Sequence, residues 1–280
     1  MTTVAYLGPE GTFSHLLARK RFGSDFQGQS CPDLSSAFHF LKNTPNSLAL
    51  IPIENSSGGT IYDSADLLIK NADRVFIQED LTLDVRLALV GHKNKPPLRI
   101  YSHFAPLNHH RAWLEKNYPA AQLLTASSTA EAARKAGQDA DAAALAAPDA
   151  AELYGLDTLL FPIRPEAINV TRFYIIGTHP CASTQLEDPN KGYKTAFIFS
   201  LKNETGSLHA FLGPLAKRGV NLRMIVSRPL VGHPETYVFF VEIEGRSHEP
   251  HVNEAIREAK TFCNTFTLLG SFPSNERFAT

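Results

Sequence analysis

A hydroxyl and a guanidinium stand side by side in Ile168-Asn169-Val170-Thr171-Arg172-Phe173-Tyr174-Ile175-Ile176-Gly177, where a strand-like apolar run begins. Successive strand residues face opposite ways. One of Thr171 and Arg172 can therefore point into a cleft while the other braces a neighbouring element or reaches around it. A hydroxyl proton donor beside a fixed cation suits an anionic substrate that must lose an oxygen. The same pair would also suit the start of an ordinary strand, so its meaning depends on the rest of the chain.

Two further segments supply that context. Val4-Ala5-Tyr6-Leu7 is a short apolar strand that runs into Gly8-Pro9-Glu10-Gly11-Thr12-Phe13-Ser14-His15 and then a helical pattern from Leu16 to Arg21. Leu48-Ala49-Leu50-Ile51-Pro52-Ile53 is a buried-type strand that breaks into Glu54-Asn55-Ser56-Ser57-Gly58-Gly59-Thr60, ahead of a helix over roughly Ile61 to Ile69. Strand, polar glycine-containing turn and helix together aim backbone N–H groups and small hydroxyls at one point, a natural place for a carboxylate or phosphate. Neither turn is a nucleotide fingerprint, because G-x-G-x-x-G and a closing Lys-Ser/Thr are both missing.

Leu7 to His15, Pro52-Ile53-Glu54-Asn55-Ser56 and Val170-Thr171-Arg172-Phe173 resemble, in order, the three signatures of the prephenate dehydratase family. The segment from Lys194 to Phe272 resembles the ACT regulatory domain that follows the catalytic part there, so the resemblance covers nearly the whole chain. It implies an α/β, two-lobed, periplasmic-binding-protein-like catalytic domain over 1–179, with lobes at about 1–80 plus 164–179 and 81–163. A ferredoxin-like ACT domain over 194–272 follows. The implied reaction removes carbon dioxide and the ring hydroxyl of prephenate to give phenylpyruvate, on the route to L-phenylalanine. Aromatisation drives it, so the protein must hold two carboxylates, protonate the departing hydroxyl and exclude water. No metal or cofactor is called for.

By the same resemblance Thr171 and Arg172 are the catalytic pair, with Thr171 assisting departure of the hydroxyl. Arg172 holds a carboxylate directly or braces the lobes, and both roles stay open here. Thr12, Ser14, Asn55, Ser56 and His103 are the expected substrate neighbours. Glu54 would repel a dianion and is expected to pair with Arg172 or another cation, or to cap a helix; Phe173 is expected in the core. Phenylalanine is the expected effector, at Gly206, Ser207, Leu208, His209, Asn221, Leu222, Ser227 and Arg228, between ACT domains of a homodimer or homotetramer. Two departures stand out. Phe104-Ala105 follows Ser102-His103 where the family usually has Pro-Gln, leaving Asn108 or His109 to supply a polar contact. Val226 stands where the family's Glu-Ser-Arg-Pro motif has its glutamate. Two other readings remain: a lyase that decarboxylates prephenate without aromatising it, and a catalytically silent, ACT-linked ligand sensor.

Composition narrows the classes. The 280 residues suffice for two domains, 43% are hydrophobic and 20% charged, and the net charge of −1 gives no reason to expect nucleic acid or an anionic membrane as partner. Cys31, Cys181 and Cys263 are odd in number and far apart. That argues against a disulfide framework or a metal site and suggests a reducing cytoplasm. The first residues lack the basic and apolar regions of a secretory signal, which supports the same expectation.

The elements that must position these residues follow from periodicity. Alternating strand and helix up to Gly177 predict a mostly parallel sheet with crossover helices. Leu81 to Val90 reads as one strand and Gly91 to Pro97 as a turn. Leu98 to Ser102 and Ala142 to Ala146 are strands. Ser128 and Glu131 form a capping box for a helix over Thr129 to Lys135, and a helix over Pro148 to Tyr154 stops at Gly155. A chain crossing to a second lobe near Leu81 and returning near Ile163 would gather all three signatures. Thr178 to Gly192 reads as a linker. After it, strands at Thr195 to Leu201, Leu222 to Val226, Tyr237 to Ile243 and Phe266 to Leu269 enclose helix stripes at Leu208-Phe211-Leu212-Leu215 and Val252-Ala255-Ile256-Ala259. That is a βαββαβ order with a turn at Gly232-His233-Pro234.

Overall fold

The computed structural model describes residues 2–23, 25–93, 96–164, 168–181, 192–230, 236–274 and 276–280. The expected turn at Gly232-His233-Pro234, most of the expected linker and Asn94-Lys95 of the expected turn after Gly91 lie outside the described residues.

Strands form three sheets. In the first, the order is Glu276–Ala279, Phe76–Asp84, Val170–Gly177, Leu48–Asn55, Thr3–Leu7 and Gln27–Cys31, with Gly59–Thr60 folded back onto Leu48–Asn55. Thr3–Leu7 is parallel to both of its neighbours, whereas Val170–Gly177 is antiparallel to both of its own. The expected mostly parallel sheet is therefore mixed. The cause is the path to the second lobe: the chain leaves this sheet at Asp84 and re-enters beside it at Val170, so the returning strand must run the opposite way.

The second lobe's sheet runs Asp157–Leu160, Ala88–Gly91, Ala142–Ala146, Arg99–Ser102 and Gln122–Thr125. The expected single strand over Leu81 to Val90 is two strands in different sheets. Phe76–Asp84 belongs to the first lobe and Ala88–Gly91 to the second, with Val85–Leu87 crossing between them. Continuous alternation without glycine or proline gives no sign of such a transfer. The two crossings run together, since the Val85 N–H donates to the Asn169 carbonyl at 2.8 Å and the Ile163 N–H to the Leu87 carbonyl at 3.0 Å.

The third sheet, in the order Leu222–Pro229, Tyr237–Glu244, Gly192–Ser200 and Thr265–Ser274, carries helices Ser207–Lys217 and Pro250–Ala259 in the expected βαββαβ succession. One face packs on those helices through residues such as Phe197, Phe211 and Val252. The other face is not free. Ile198, Met224, Val226, Phe240 and Phe272 share one apolar core with Ile51, Leu68, Tyr174 and Ile176 of the first lobe. The ACT domain thus covers a face of the catalytic sheet, while helix Phe13–Phe22 covers the opposite face through Leu16 and Leu17 against Phe173 and Ile175.

Beyond the third sheet the chain returns once more, an element the sequence pattern did not suggest. Glu276–Ala279 pairs parallel with Phe76–Asp84, the Arg277 guanidinium meets Asp84 at 2.9 and 2.7 Å, and the Thr280 hydroxyl accepts from the Arg86 N–H at 2.9 Å. This last strand therefore reaches the crossing between the lobes.

Candidate active site

Antiparallel pairing of the returning strand sets Thr171 directly opposite Asn55, and Arg172 opposite Glu54. Two of the three sequence signatures thus become neighbours through register alone. Asn55 Oδ1 accepts the N–H groups of Ser57 and Gly58 at 2.9 and 3.1 Å. That turn fixes which way the amide faces. Its Nδ2 then donates to Asn169 Oδ1 at 2.7 Å and to Thr171 Oγ1 at 2.8 Å. An oxygen already accepting from Asn55 keeps its proton for another partner. Ser56 laces the loop to the strand: its N–H donates to the Val170 carbonyl at 2.8 Å, and its Oγ accepts the Val170 N–H at 2.9 Å.

A cleft of about 350 Å³ opens beside Thr171. Phe13, Asn55, Ser57, Asn169 and Thr171 line it from the first lobe, Val85 and Leu87 from the crossing, and His103, Ala105, Pro106, His109, His110 and Ser127–Thr129 from the second lobe. The lining gathers the starts of three helices: Phe13–Phe22, Phe104–Asn117 and Thr129–Gly137. Among the described lining residues there is no Asp, Glu, Lys or Arg. Helix N-termini and backbone amides are the groups at this cleft that suit an anion.

Local sequence explains these helix starts. Thr12 caps the first by accepting the His15 N–H at 3.3 Å, and its hydroxyl donates to the Leu7 carbonyl at 2.9 Å. Ser128 caps the third, accepting the Glu131 N–H at 3.0 Å, but this is only half of the expected capping box, because the Glu131 carboxylate pairs with Arg134 at 2.7 Å. His103 occupies the cap position of the second with its ring 4.4 Å from that of Phe104. Burial lowers the His103 pKa below the usual 6.5. The first turn also touches the far lobe: at Gly11, φ is +85° and a Cβ would meet Leu153 at 3.1 Å and Tyr154 at 3.2 Å. Glycine is needed there for both backbone and space. The Tyr154 hydroxyl donates to the Glu10 carbonyl at 2.8 Å across the same contact.

Of the expected substrate neighbours, Asn55 and His103 line the cleft. Thr12, Ser14 and Ser56 do not; Thr12 and Ser56 have their hydroxyls committed to holding the turns that frame it. Of Asn108 and His109, only His109 faces the cleft. The sequence reading passed over Phe13, Asn169, Ser127 and Thr129. Asn169 was legible, since it lies two residues from Thr171 and a strand's period of two puts both on one face.

Arg172 requires a correction. It does not line the cleft but faces the opposite side of the strand, where its guanidinium meets Glu54 at 3.0 Å, Asp80 at 3.0 Å and Glu242 of the ACT domain at 2.7 Å. Lys194, also of the ACT domain, pairs with Asp80 and lies 3.2 Å from Glu242. Thr171 and Arg172 alternate, so placing one in the cleft turns the other away from it. Of its two open roles, bracing fits this geometry, and the brace joins the catalytic strand to the ACT domain rather than to the second lobe. Glu54 pairs with Arg172, and Phe173 is in the core.

The expected effector residues are spread more widely. Gly206, with φ at +86°, precedes helix Ser207–Lys217, and it lines a hollow with Ser207, Lys202, Thr205 and Thr261. Ser207 and Leu208 line an adjoining hollow with Tyr237 and Phe239. His209, Asn221, Leu222, Ser227 and Arg228 line neither. The Asn221 carbonyl accepts the Glu244 N–H at 2.9 Å, and Leu222 packs on the ACT core. Arg228 clasps Asp66 of the catalytic domain at 2.6 and 2.7 Å, and lies 4.9 Å over the Tyr62 ring. Val226 belongs to the apolar core between the domains.

Comparison with known proteins agrees with this arrangement. The prephenate dehydratase family model matches residues 4–181 and the ACT domain model residues 195–261. The bifunctional chorismate mutase/prephenate dehydratase of Stutzerimonas stutzeri is 33% identical over 272 residues, covering 96% of this chain and 73% of that protein. The crystal structure of Arthrobacter aurescens prephenate dehydratase in complex with L-Phe superposes with a TM-score of 0.84 at 27% identity, covering 97% of this chain and 89% of that one. A structure described as GqqA, a novel type of quorum-quenching acylase, superposes with a TM-score of 0.87 at 26% identity, covering 98% of each chain. Among the described residues no helix is long and apolar enough to cross a membrane. With its ordered signatures gathered at one cleft and an ACT sheet docked behind them, this chain belongs to the prephenate dehydratase family.

Proposed function

We propose that this chain is a prephenate dehydratase that converts prephenate to phenylpyruvate, carbon dioxide and water. The observation that carries the reading is Thr171, its oxygen fixed by Asn55 and its proton available in a cleft where three helices begin. Helix N-termini suit a dianion, and His103 and His109 add hydrogen-bonding capacity without acidic repulsion. As the carbon–carboxylate bond breaks, its electron pair enters the ring and the C–O bond opposite breaks. The departing hydroxyl takes up one proton and leaves as water. Thr171 donates to that oxygen, and burial with only 9% exposure keeps the contact out of bulk solvent. The hydrogen bond to Thr171 comes from an amide donor and not from a base. It would not activate the hydroxyl as an acylase nucleophile, which leaves dehydration better supported than amide hydrolysis.

The same proposal assigns phenylalanine to the ACT domain as feedback effector. Its support is the relative solved with L-Phe and the hollows around Gly206, Ser207 and Leu208. Pairing of two chains through strand Leu222–Pro229, an edge of its sheet with Ile225 40% exposed, would complete such a site. A cytoplasmic setting suits three free thiols. Incubation with prephenate at neutral pH, followed by ultraviolet identification of the product, tests the reaction. Phenylpyruvate supports it; a non-aromatic decarboxylated product or no turnover overturns it. Calorimetric titration with phenylalanine tests the effector.

A further inference from the structure

Glu242 lies on the ACT strand Tyr237–Glu244 and is fully buried, yet one of its oxygens grips the catalytic strand twice. Oε2 accepts from the Arg172 guanidinium at 2.7 Å and from the Tyr174 hydroxyl. Those two residues flank Phe173, and the pairing of this strand with Leu48–Asn55 shifts register between Arg172 and Phe173. The residue left over there is Ile53, so the bulge lies in Leu48–Asn55 and bends that strand. On its other side Val170 to Ile175 pair with Phe76–Asp84 without a shift, so the irregularity touches only the Asn55 side of the strand, and Glu242 grips residues on either side of that point.

We propose that Glu242 and Lys194 of the ACT domain are positioning residues for Thr171, acting through Arg172 to hold the start of strand Val170–Gly177 in place beside Asn55. The inference rests on the reading of the cleft as a dehydratase site.

Charge and burial give the clamp its character. Glu54, Asp80 and Glu242 face Arg172 and Lys194, and Asp80 and Glu242 are almost wholly inaccessible. Removing one partner from a buried cluster leaves a charge without compensation, so such clusters are intact or strongly disfavoured. Glu242 and Lys194 sit on adjacent strands of the ACT sheet and can leave only together, as that sheet shifts. Val226 and Phe240 against Ile51 and Ile176 make an apolar, non-directional contact, and Arg228 pairs across the interface with Asp66 on helix Tyr62–Lys70. The Glu242 and Lys194 cluster is the ionic contact made to strand Val170–Gly177, which presents Thr171 on its other face. An ACT rearrangement would thus reach the reacting hydroxyl through one side chain.

The test is a double-mutant cycle on the full chain with Glu242→Gln and Thr171→Ala, read as kcat and KM with prephenate. Glutamine keeps shape and an acceptor but loses the charge. The expected result is a kcat fall of about tenfold with KM within about twofold, and a change under about twofold when Thr171 is already alanine. An unchanged kcat, or the same fold-loss in both backgrounds, overturns the proposal. Hydrogen exchange at the amides of 170–173 judges the clamp without reference to the reaction. Faster exchange there in Glu242→Gln supports it, and unchanged exchange overturns it. A parent chain that leaves prephenate untouched would tell against the functional reading alone, with exchange still deciding the clamp. Should Glu242→Gln not fold, Tyr174→Phe removes one of the two grips and is read the same way.

Discussion

Thr171 and Arg172 share a peptide bond but no environment, and their mutants should fail differently. Thr171→Ala removes the donor proposed for the departing hydroxyl, and with it one acceptor of the Asn55 amide. We expect kcat to fall by about 10²-fold or more with KM changed less than about threefold, because a transition-state contact is expressed in kcat. Steady-state phenylpyruvate formation measures both. Arg172→Lys should instead weaken the fold, since one ammonium cannot replace a planar fork that reaches Glu54, Asp80 and Glu242. A loss of about 2–4 kcal/mol in urea unfolding is expected. Acid should reveal the same cluster. Burial alone would raise the Glu242 pKa, but Arg172 and Lys194 outweigh it and hold it below the usual 4.5. A folded-state pKa below the unfolded one stabilises the fold above pH 4.5 and loses that contribution as pH falls through the folded value. Unfolding midpoints of the parent should therefore drop more steeply below that pH than those of Glu242→Gln.

Individual elements decide which residues meet. The returning strand is antiparallel because the chain leaves and re-enters the first sheet at the same end, and that register makes Asn55 the partner of Thr171. Three helices begin at the cleft, whose described lining holds no Asp, Glu, Lys or Arg. Strand Glu276–Ala279 acts at the crossing, pairing with Phe76–Asp84 while Thr280 meets Arg86. Removing residues 275–280 should lower the melting temperature by a few degrees, about 1 kcal/mol for a chain of this size. Amide exchange should speed up across Val85–Leu87 before it does elsewhere. Equal protection in the shortened and full chains would show that this strand does not steady the crossing.

The molecule as a whole is less divisible than its order of domains suggests. A piece ending near Thr178 keeps every lining residue of the cleft, yet it uncovers Ile51, Leu68, Tyr174 and Ile176, now packed beneath the ACT sheet. Each large apolar side chain contributes about 1.5–3 kcal/mol by burial. Exposing several approaches the whole stability of an ordinary domain, roughly 5–15 kcal/mol. We expect that piece to aggregate or to lose its near-ultraviolet dichroism, rather than to behave as an enzyme freed from phenylalanine. Light scattering on the full chain should report at least a dimer, and a monomer would remove the proposed edge pairing of Leu222–Pro229.

What the sequence determined by itself is local chemistry and local geometry. Ordered turns with small hydroxyls, the side-chain cap at Ser128, the stop at Gly155 and the βαββαβ periodicity depend on neighbours a few residues apart, and all are found where the pattern placed them. The two faces of strand Val170–Gly177 were equally legible, since alternation requires Thr171 and Arg172 to point apart. Which face belongs to the cleft was not, because that depends on what packs over each side. Only the tertiary structure decided that the ACT sheet covers the Arg172 face, that Leu81 to Val90 divides between two sheets, and that three helices begin at one cleft. Each of these joins segments far apart along the chain, and no spacing within a segment records what lies across from it.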